Sequence, residues 1–289
     1  MKTKKKRLGT KAQIRAEKER ERKIAATVSL AFILLIAVFS TYFTYTFLNQ
    51  PQNPTINSAP STLKAAIVDQ GSLSPVAGPN PDFIKTATNI LKQAGYTVDY
   101  YSGEKVTVEF YRNLPTHGYS IIILRVHSSA AKLQGEEFTE TPVCLFTSES
   151  YTKDNYTWEQ LTDQLKIAVY NVPQPSCYFA ITPAFVTSSL KGKFQNTTVI
   201  MMGCEGLNNT KMAEAFIKKG AKTYISWNKS VSASHTDLAT THLLQHLITE
   251  QQTIKQAVNM TMEEVGPNPI DNSILLYYPI ESGNFVIPR

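Results

Sequence analysis

The sequence predicts an α/β fold in which a mainly parallel sheet is flanked by helices, preceded by one transmembrane helix. From residue 62 onward, short apolar runs alternate with helix-like segments, and glycine follows several of those segments. Such alternation indicates βαβ units and therefore parallel strands. A separate charge-free apolar stretch at 24–48 predicts the transmembrane helix.

The first 23 residues are strongly basic. They hold eleven Lys and Arg side chains against three Glu, so eleven minus three gives this segment a charge of +8, in a chain of net charge +6. The other residues therefore sum to −2, and the basic charge lies outside the folded part. A nucleic-acid-binding domain would carry its basic patch on the folded part, so we expect no nucleic-acid partner. We interpret 1–23 as a basic cytoplasmic tail.

Residues 24–48 are long enough to cross a bilayer core, which needs about 20 apolar residues. Tyr42, Phe43, Tyr45 and Phe47 crowd the carboxyl end of this stretch, as is typical of a membrane interface. Because basic flanks stay in the cytoplasm, we predict a single-pass cell-membrane protein whose uncleaved signal anchor places the C-terminal domain outside the cytoplasm. A cleaved signal peptide is the alternative, but its apolar region usually spans only about 7–15 residues.

Residues 49–61 are rich in Pro, Asn and Ser and predict a linker, while 62–289 predict one α/β domain. Export to the cell surface would expose Asn-X-Ser/Thr triplets to glycosylation. The candidate glycosylation sites are Asn155, Asn196, Asn208, Asn228 and Asn259.

Each element of the domain is predicted from its own pattern. Pro81 fits the first turn of a helix, and Gly95 and Gly220 end the helices that they follow. Apolar runs bounded by turn residues predict strands at 63–69, 96–101, 120–127, 142–146, 177–181, 197–204, 222–227 and 274–278. Helical spacing predicts helices at 81–94, 106–113, 157–169, 211–219, 234–251 and 254–265.

Two of the predicted core strands end in chemically useful residues. The strand at 120–127 runs into His127, and the strand at 197–204 runs into Cys204. Ligands and catalytic groups gather at the carboxyl ends of the strands in open α/β sheets. A thiol beside an imidazole can act as an activated nucleophile. The His117-Gly118 dipeptide is a weaker alternative to His127, because it precedes the strand rather than ending it.

The order of these motifs resembles the caspase/gingipain/CHAT group of cysteine peptidases, which have the clan CD caspase-hemoglobinase fold. The resemblance rests on the two strand ends and on the succession Gly203–Gly206, Met212–Ala221 and Tyr224–Trp227. It covers about 115–250 by motif and 62–114 only by topology. It implies a caspase-like three-layer sandwich.

The resemblance also implies roles for individual residues. His127 would be the base and Cys204 the nucleophile, and the backbone amides of Ser128 and Cys204 would form the oxyanion hole. A sharp turn after Cys204 would lead into a helix whose amino terminus favours a thiolate. Members of the group usually have Gly after the histidine, so Ser128 predicts a side chain where substrate backbone should pass. Glu205, Trp227 and Asp237 are the substrate-pocket candidates.

For the other cysteines and for two histidines, the sequence allows more than one interpretation. Cys144 and Cys177 are a candidate disulfide in an oxidising space, or else two small buried hydrophobic residues. His242 and His246 are four residues apart on a predicted helix and could bind a metal, but no Glu/Asp constellation supports such a site. We therefore predict no metal site and no cofactor.

The sequence thus favours a membrane-anchored extracytoplasmic cysteine endopeptidase, with a peptide or protein as its substrate. The first alternative is a catalytically inactive caspase-like surface domain that acts in binding or sensing. The second is a flavodoxin-like ligand-binding domain. The glycines of 71–78 do not have the spacing of a phosphate-binding loop, so we rank this alternative last.

Overall fold

The computed structural model of the chain describes residues 11–48, 63–130 and 141–289. Backbone contacts divide the chain into two units, Met1–Ser61 and Thr62–Arg289. In the first unit, one helix, α1, runs from Lys11 to Leu48 and joins the basic segment to the apolar one. In the described ranges, no helix combines the length and the hydropathy of a membrane span, so the predicted transmembrane helix at 24–48 is not confirmed. The predicted linker at 49–61 lies outside the described residues.

The second unit alternates strands and helices. Its described strands are β1 (Lys64–Asp69), β2 (Thr97–Ser102), β3 (Ile121–Leu124), β4 (Ser128–Ala130), β5 (Val143–Ser150), β6 (Leu165–Val169), β7 (Cys177–Ile181), β8 (Thr198–Met201), β9 (Thr223–Trp227) and β10 (Leu275–Tyr278). Its described helices are α2 (Pro81–Gln93), α3 (Val108–Asn113), α4 (Thr157–Leu161), α5 (Pro183–Ser188), α6 (Lys211–Lys218), α7 (Ala233–Leu244) and α8 (Ile254–Val265).

The main sheet has six strands in the order β10-β9-β8-β3-β1-β2. All neighbouring pairs are parallel except β10 with β9, which are antiparallel. Strand residues alternate between the two faces. Ile122 and Leu124 pack on one side with the buried residues of α3, α5 and α6, whereas Ile121 and Ile123 pack on the other with those of α2, α7 and α8. The predicted three layers, a mainly parallel sheet between helices, are confirmed.

Local chemistry fixes where the helices begin. Asn80 Oδ1 accepts a hydrogen bond from the Phe83 amide (3.1 Å) at the start of α2, which also has Pro81 in its first turn. At the start of α8, Thr253 and Gln256 form a reciprocal capping box. These bonds satisfy amides that a helix leaves without internal partners.

A second sheet was not expected from the sequence. It has four antiparallel strands in the order β4-β5-β7-β6. The predicted helix at 157–169 is wrong beyond its first turn and a half, because α4 ends at Leu161 and the chain reverses at Asp163, whose φ is 56°. Residues 165–169 then pair with β7 as an edge strand in which Leu165 and Ala168 are buried.

The predicted helix at 234–251 is also modified. The α-helical part, α7, ends at Leu244 and continues as a π-helical turn over Gln245–Thr249. Here the Glu250 amide donates to the Gln245 carbonyl (3.0 Å), which is the wider spacing of a π turn. This turn precedes α8 directly, so side chains of both helices can meet.

Candidate functional site

Register places His127 and Cys204 at the same level beyond the sheet. Leu124, the last residue of β3, pairs with Met201, the last residue of β8. His127 and Cys204 each follow three residues after this pair, on neighbouring strands that lie about 4.8 Å apart. Both line one cavity of ≈ 310 Å³. The structure thus brings the two predicted catalytic residues to one opening at the carboxyl edge of the sheet.

The Cys204 thiol lies against the segment that precedes α7. Its Sγ accepts a hydrogen bond from the Val231 amide (3.4 Å) and lies 3.5 Å from the Val231 carbonyl oxygen, to which it can donate. Burial raises the pKa of the Cys204 thiol, and the contact with Val231 only partly opposes this effect. The thiol is therefore protonated at neutral pH.

The helix predicted at 211–219 is confirmed as α6, which does not follow Cys204 directly. The chain passes through a turn in which Glu205 has a left-handed φ of 62°, and α6 begins only at Lys211. Six residues therefore separate the thiol from the start of α6 along the chain, and stabilisation of a thiolate by that helix stays a prediction.

His127 is held by aromatic rings rather than by a carboxylate. Its ring lies edge-on to Phe146, with centroids 4.7 Å apart, and tilted against Tyr170, with centroids 5.0 Å apart. Its backbone amide donates to Gln70 Oε1 (2.9 Å), and Gln70 Nε2 donates to the Tyr170 hydroxyl (2.6 Å). Burial lowers the pKa of the His127 imidazole to about 4. At neutral pH the imidazole is uncharged, which is the state in which it can accept a proton.

Ser128 does not obstruct the cavity, contrary to the sequence-based expectation. Its side chain is buried, and its Oγ donates a hydrogen bond to the Cys204 carbonyl oxygen (2.6 Å). Gly203 makes this approach possible, because a Cβ on Gly203 would lie 2.3 Å from Ser128 Oγ and 2.4 Å from the Val126 carbonyl oxygen. Ser128 and Gly203 therefore fit each other and tie the two strand ends together. The role of the Ser128 and Cys204 amides as an oxyanion hole stays a prediction.

A buried charge cluster forms one wall of the cavity. Arg125 donates from Nε and Nη2 to the two carboxylate oxygens of Asp237 (2.8 and 2.9 Å). Its Nη1 donates to Asp69 Oδ1 (2.8 Å) and to the Gly78 carbonyl oxygen (3.0 Å). Burial alone would lower the pKa of Arg125, but the bonds to Asp237 and Asp69 raise it instead. The guanidinium stays charged and ties the 71–78 loop to α7 across the cavity.

Of the three predicted pocket residues, one lines the cavity and two do not. Asp237 lines the cavity, as expected, although its carboxylate is engaged by Arg125. Glu205 and Trp227 are not among the lining residues. Glu205 Oε2 accepts from the Ala130 amide in β4 (2.9 Å), and the buried Trp227 donates from Nε1 to Thr236 Oγ1 (2.9 Å). Both residues support the cavity from behind rather than face a substrate.

Several further predictions concern the surface and the cysteines. Cys144, Cys177 and Cys204 are all free, so the candidate disulfide is absent. The reason is register, because Leu145 pairs with Ile181 and Ser150 with Tyr178, which puts Cys144 and Cys177 at opposite ends of the β5–β7 pair. Among the candidate glycosylation sites, Asn155, Asn196 and Asn259 are exposed, and Asn208 and Asn228 are partly buried. Glycosylation of these sites stays a prediction.

The alternative histidine, His117, lies at the opposite end of β3. It ends a short 3₁₀ turn that precedes the strand, and its ring stacks on Tyr119 with centroids 5.6 Å apart. It does not line the cavity that holds Cys204. The preference for His127 over His117 therefore agrees with the geometry.

Sequence reasoning missed Arg125, Gln70 and Asp69, although two of them carried a signal. Arg125 directly follows the apolar run that forms β3, and Asp69 ends the apolar run of β1. Opposite charges at the same edge of two adjacent parallel strands predict a buried ion pair. Gln70 and Tyr170 had no such signal, because their contact with each other spans 100 residues.

Comparisons with known proteins find a likeness among solved structures but none among family models or curated proteins. No protein-family model matches the sequence, and no curated protein matches it. A crystal structure of the Arg-specific cysteine proteinase gingipain R is similar over 78% of this chain and 45% of that chain, with 12% sequence identity and a TM-score of 0.41. The chain thus spans less than half of that protein. A likeness of this degree identifies neither the family nor the function of the chain.

Proposed function

We propose that the chain is a cysteine-dependent peptidase in which Cys204 is the nucleophile and His127 the base. The observation that carries this proposal is that the two residues, from separate strands, line one cavity at the carboxyl edge of the sheet. The peptide as a substrate class follows from the motif resemblance around His127 and Cys204. His127 also lines a second cavity of ≈ 380 Å³, so a chain could extend to both sides of the reacting bond.

The reaction follows from the protonation states. An uncharged His127 accepts the Cys204 proton as Sγ forms a bond to the peptide carbonyl carbon. The imidazolium then returns that proton to the leaving amine as the C–N bond breaks. Water, deprotonated by His127, attacks the thioester, and the acid product leaves as the thiol is restored. Desolvation by a bound substrate strengthens each of these charge interactions.

One observation favours the inactive alternative. Cys204 Sγ is engaged by the Val231 backbone, and within the described residues neither ring nitrogen of His127 has a hydrogen-bond partner. A productive complex therefore requires Cys204 to exchange its Val231 contacts for His127. A surface domain without catalysis would keep the Val231 contacts when a ligand binds.

Cleavage of a diverse peptide library by the purified full-length chain tests the proposal. We expect specific products from the wild type, and a loss of at least about 10³-fold in kcat/KM for Cys204→Ala and for His127→Ala. The matched control is His117→Ala. This variant removes the histidine at the opposite end of β3, away from the Cys204 cavity, and should leave kcat/KM unchanged. Cleavage that persists in Cys204→Ala, or no cleavage of any library member by the folded wild type, would sink the proposal in favour of a binding domain.

We also propose that residues 24–48 anchor the chain in the cell membrane, with the α/β domain outside the cytoplasm. The support is the charge-free apolar sequence behind a basic segment. Protease added to intact cells should remove the domain while leaving the amino-terminal segment membrane-bound through alkaline carbonate extraction. A chain released by carbonate would contradict the anchor.

A further inference from the structure

Three potential metal ligands meet where α7, its π turn and α8 pack together. Glu264 Oε2 lies 2.6 Å from His242 Nδ1 and 3.1 Å from His246 Nε2. One ligand atom of each residue lies within 4.8 Å of the other two. The two histidines share one helix face because they are four residues apart. Glu264 comes from α8, so the local sequence around His242 and His246 does not reveal it as their shared partner.

The second nitrogen of His246 is also oriented. Its Nδ1 lies 2.9 Å from Glu250 Oε2, and Gln252 Nε2 donates to the same carboxylate oxygen (2.9 Å). A histidine that ligates a metal through one nitrogen almost always donates from the other to a carboxylate, a carbonyl or water. His246 therefore has Nε2 directed at Glu264 and Nδ1 fixed by Glu250, which is the arrangement of a metal-ligating imidazole with its supporting carboxylate.

Backbone geometry supports the same placement. The π turn at Gln245–Thr249 widens the helix between His242 and Glu250. Single π turns are rare and occur frequently at functional sites. The His246 side chain is 5% exposed, whereas those of His242 and Glu264 are 40% and 38% exposed. An ion could thus enter from solvent and contact one buried and two accessible ligands.

We propose that this cluster binds one Zn²⁺-type divalent transition metal through His242 Nδ1, His246 Nε2 and Glu264 Oε2. Two imidazoles and one carboxylate suit zinc, which takes such ligands at about 2.0–2.2 Å and leaves a fourth position for water. Ca²⁺ and Mg²⁺ prefer oxygen ligands and do not fit this donor set. The bound metal links the end of α7 to α8, on the helical layer rather than at the Cys204 cavity. The site is independent of the proposed peptidase activity.

Metal binding is tested on the purified full-length chain after treatment with a chelator. We expect isothermal titration with Zn²⁺ to show one equivalent per chain and thermal unfolding to shift upward with Zn²⁺. Co²⁺ should give the visible absorption of a low-coordinate site containing nitrogen ligands. Ca²⁺ and Mg²⁺ should give neither binding heat nor a shift in Tm.

Variants separate this site from other zinc-binding groups. We expect His242→Gln and Glu264→Gln to abolish the one-equivalent binding of Zn²⁺. Both side chains are partly exposed, so both variants should fold. Glu250→Gln should weaken it by about 10–100-fold, because only the supporting carboxylate changes. His235→Gln on the same helix and Cys177→Ser at an exposed thiol are the controls that should bind as the wild type does. Binding that survives both ligand variants, that is lost in Cys177→Ser, or that is absent from the wild type would overturn the proposal.

Discussion

The two ends of α7 use charged side chains in opposite ways. Near its beginning, Asp237 forms a buried ion pair with Arg125. Asp69, at the end of β1, forms an ion pair with the same guanidinium. Beyond the end of α7, Glu264 and Glu250 converge on His246, whose side chain is buried. Acidic groups at the first end are thus neutralised by the protein itself. Those at the second end face imidazoles, which are ligands for an added cation.

The difference shows why carboxylates beside a cavity do not by themselves indicate a metal site. The Asp237 carboxylate accepts two hydrogen bonds from Arg125 and a third from Asn80 Nδ2 (2.8 Å), so a cation of the protein already balances its charge. At the cavity end, the charges hold the walls around Cys204 and His127. At the far end, each ring nitrogen of His246 faces an oxygen, and a metal can replace one of the two hydrogen bonds.

We expect the largest effect from a substitution at the cavity end of α7. Asp237→Ala removes the two-bond partner of the buried Arg125, and we expect the free energy of unfolding to fall by about 3–5 kcal/mol. The control is Lys191→Ala, which breaks the exposed Lys191–Glu109 ion pair (57% and 50% exposed) and should cost less than about 1 kcal/mol. Chemical denaturation of both variants measures the difference.

Equal losses in the two variants would mean that water screens Arg125 as well as it screens Lys191. The charges beside the cavity would then have no structural role. Metal-free His242→Gln extends the comparison to the other end of α7. The hydrogen bond between His242 and Glu264 is partly exposed, so we expect this variant to lose less unfolding free energy than Asp237→Ala.

We expect a smaller effect from His127, whose protonation makes the free energy of unfolding depend on pH. The pKa of His127 is about 4 in the folded chain, below the value of about 6.5 expected for the unfolded chain. Between these values the unfolded chain binds more protons, so His127 makes stability fall as pH decreases from about 6.5 to 4. Above pH 6.5 its contribution is fully present.

By pH 5 this histidine should account for about 2 kcal/mol of lost unfolding free energy relative to pH 7.5. The measurement is urea denaturation at both pH values for the wild type and for His127→Gln, because the difference between them removes the titration of all other groups. The same pH dependence in both proteins would show that His127 is hydrated rather than desolvated by Phe146 and Tyr170.

Local sequence signals predicted a large part of the fold. The strand Cys177–Ile181 and the helix Ile254–Val265 have the predicted boundaries, the latter because Thr253 and Gln256 cap it locally. His127 and Cys204 could be predicted as neighbours, since parallel strands bring their carboxyl ends to one edge. These features depend on residues close in sequence or on a general rule of sheet topology.

The rest depends on tertiary contacts that no local pattern contains. Residues 165–169 become a strand because β7 offers an edge to pair with, and helix propensity alone did not reveal this partner. The contact between Glu264 and His242 spans 22 residues and exists only because α8 packs against α7. The inward direction of Ser128 likewise follows from the space left by Gly203.

The most direct test of the central claim is the covalent labelling of Cys204 by a panel of peptide chloromethyl ketones, read by mass spectrometry. The full-length chain would carry Cys177→Ser, because Cys177 is the exposed free thiol. The account predicts labelling at Cys204 by a subset of the peptides, and its loss both in His127→Ala and after unfolding. Labelling of Cys204 that is unchanged without His127, or no labelling of the folded chain, would contradict a working Cys204–His127 pair.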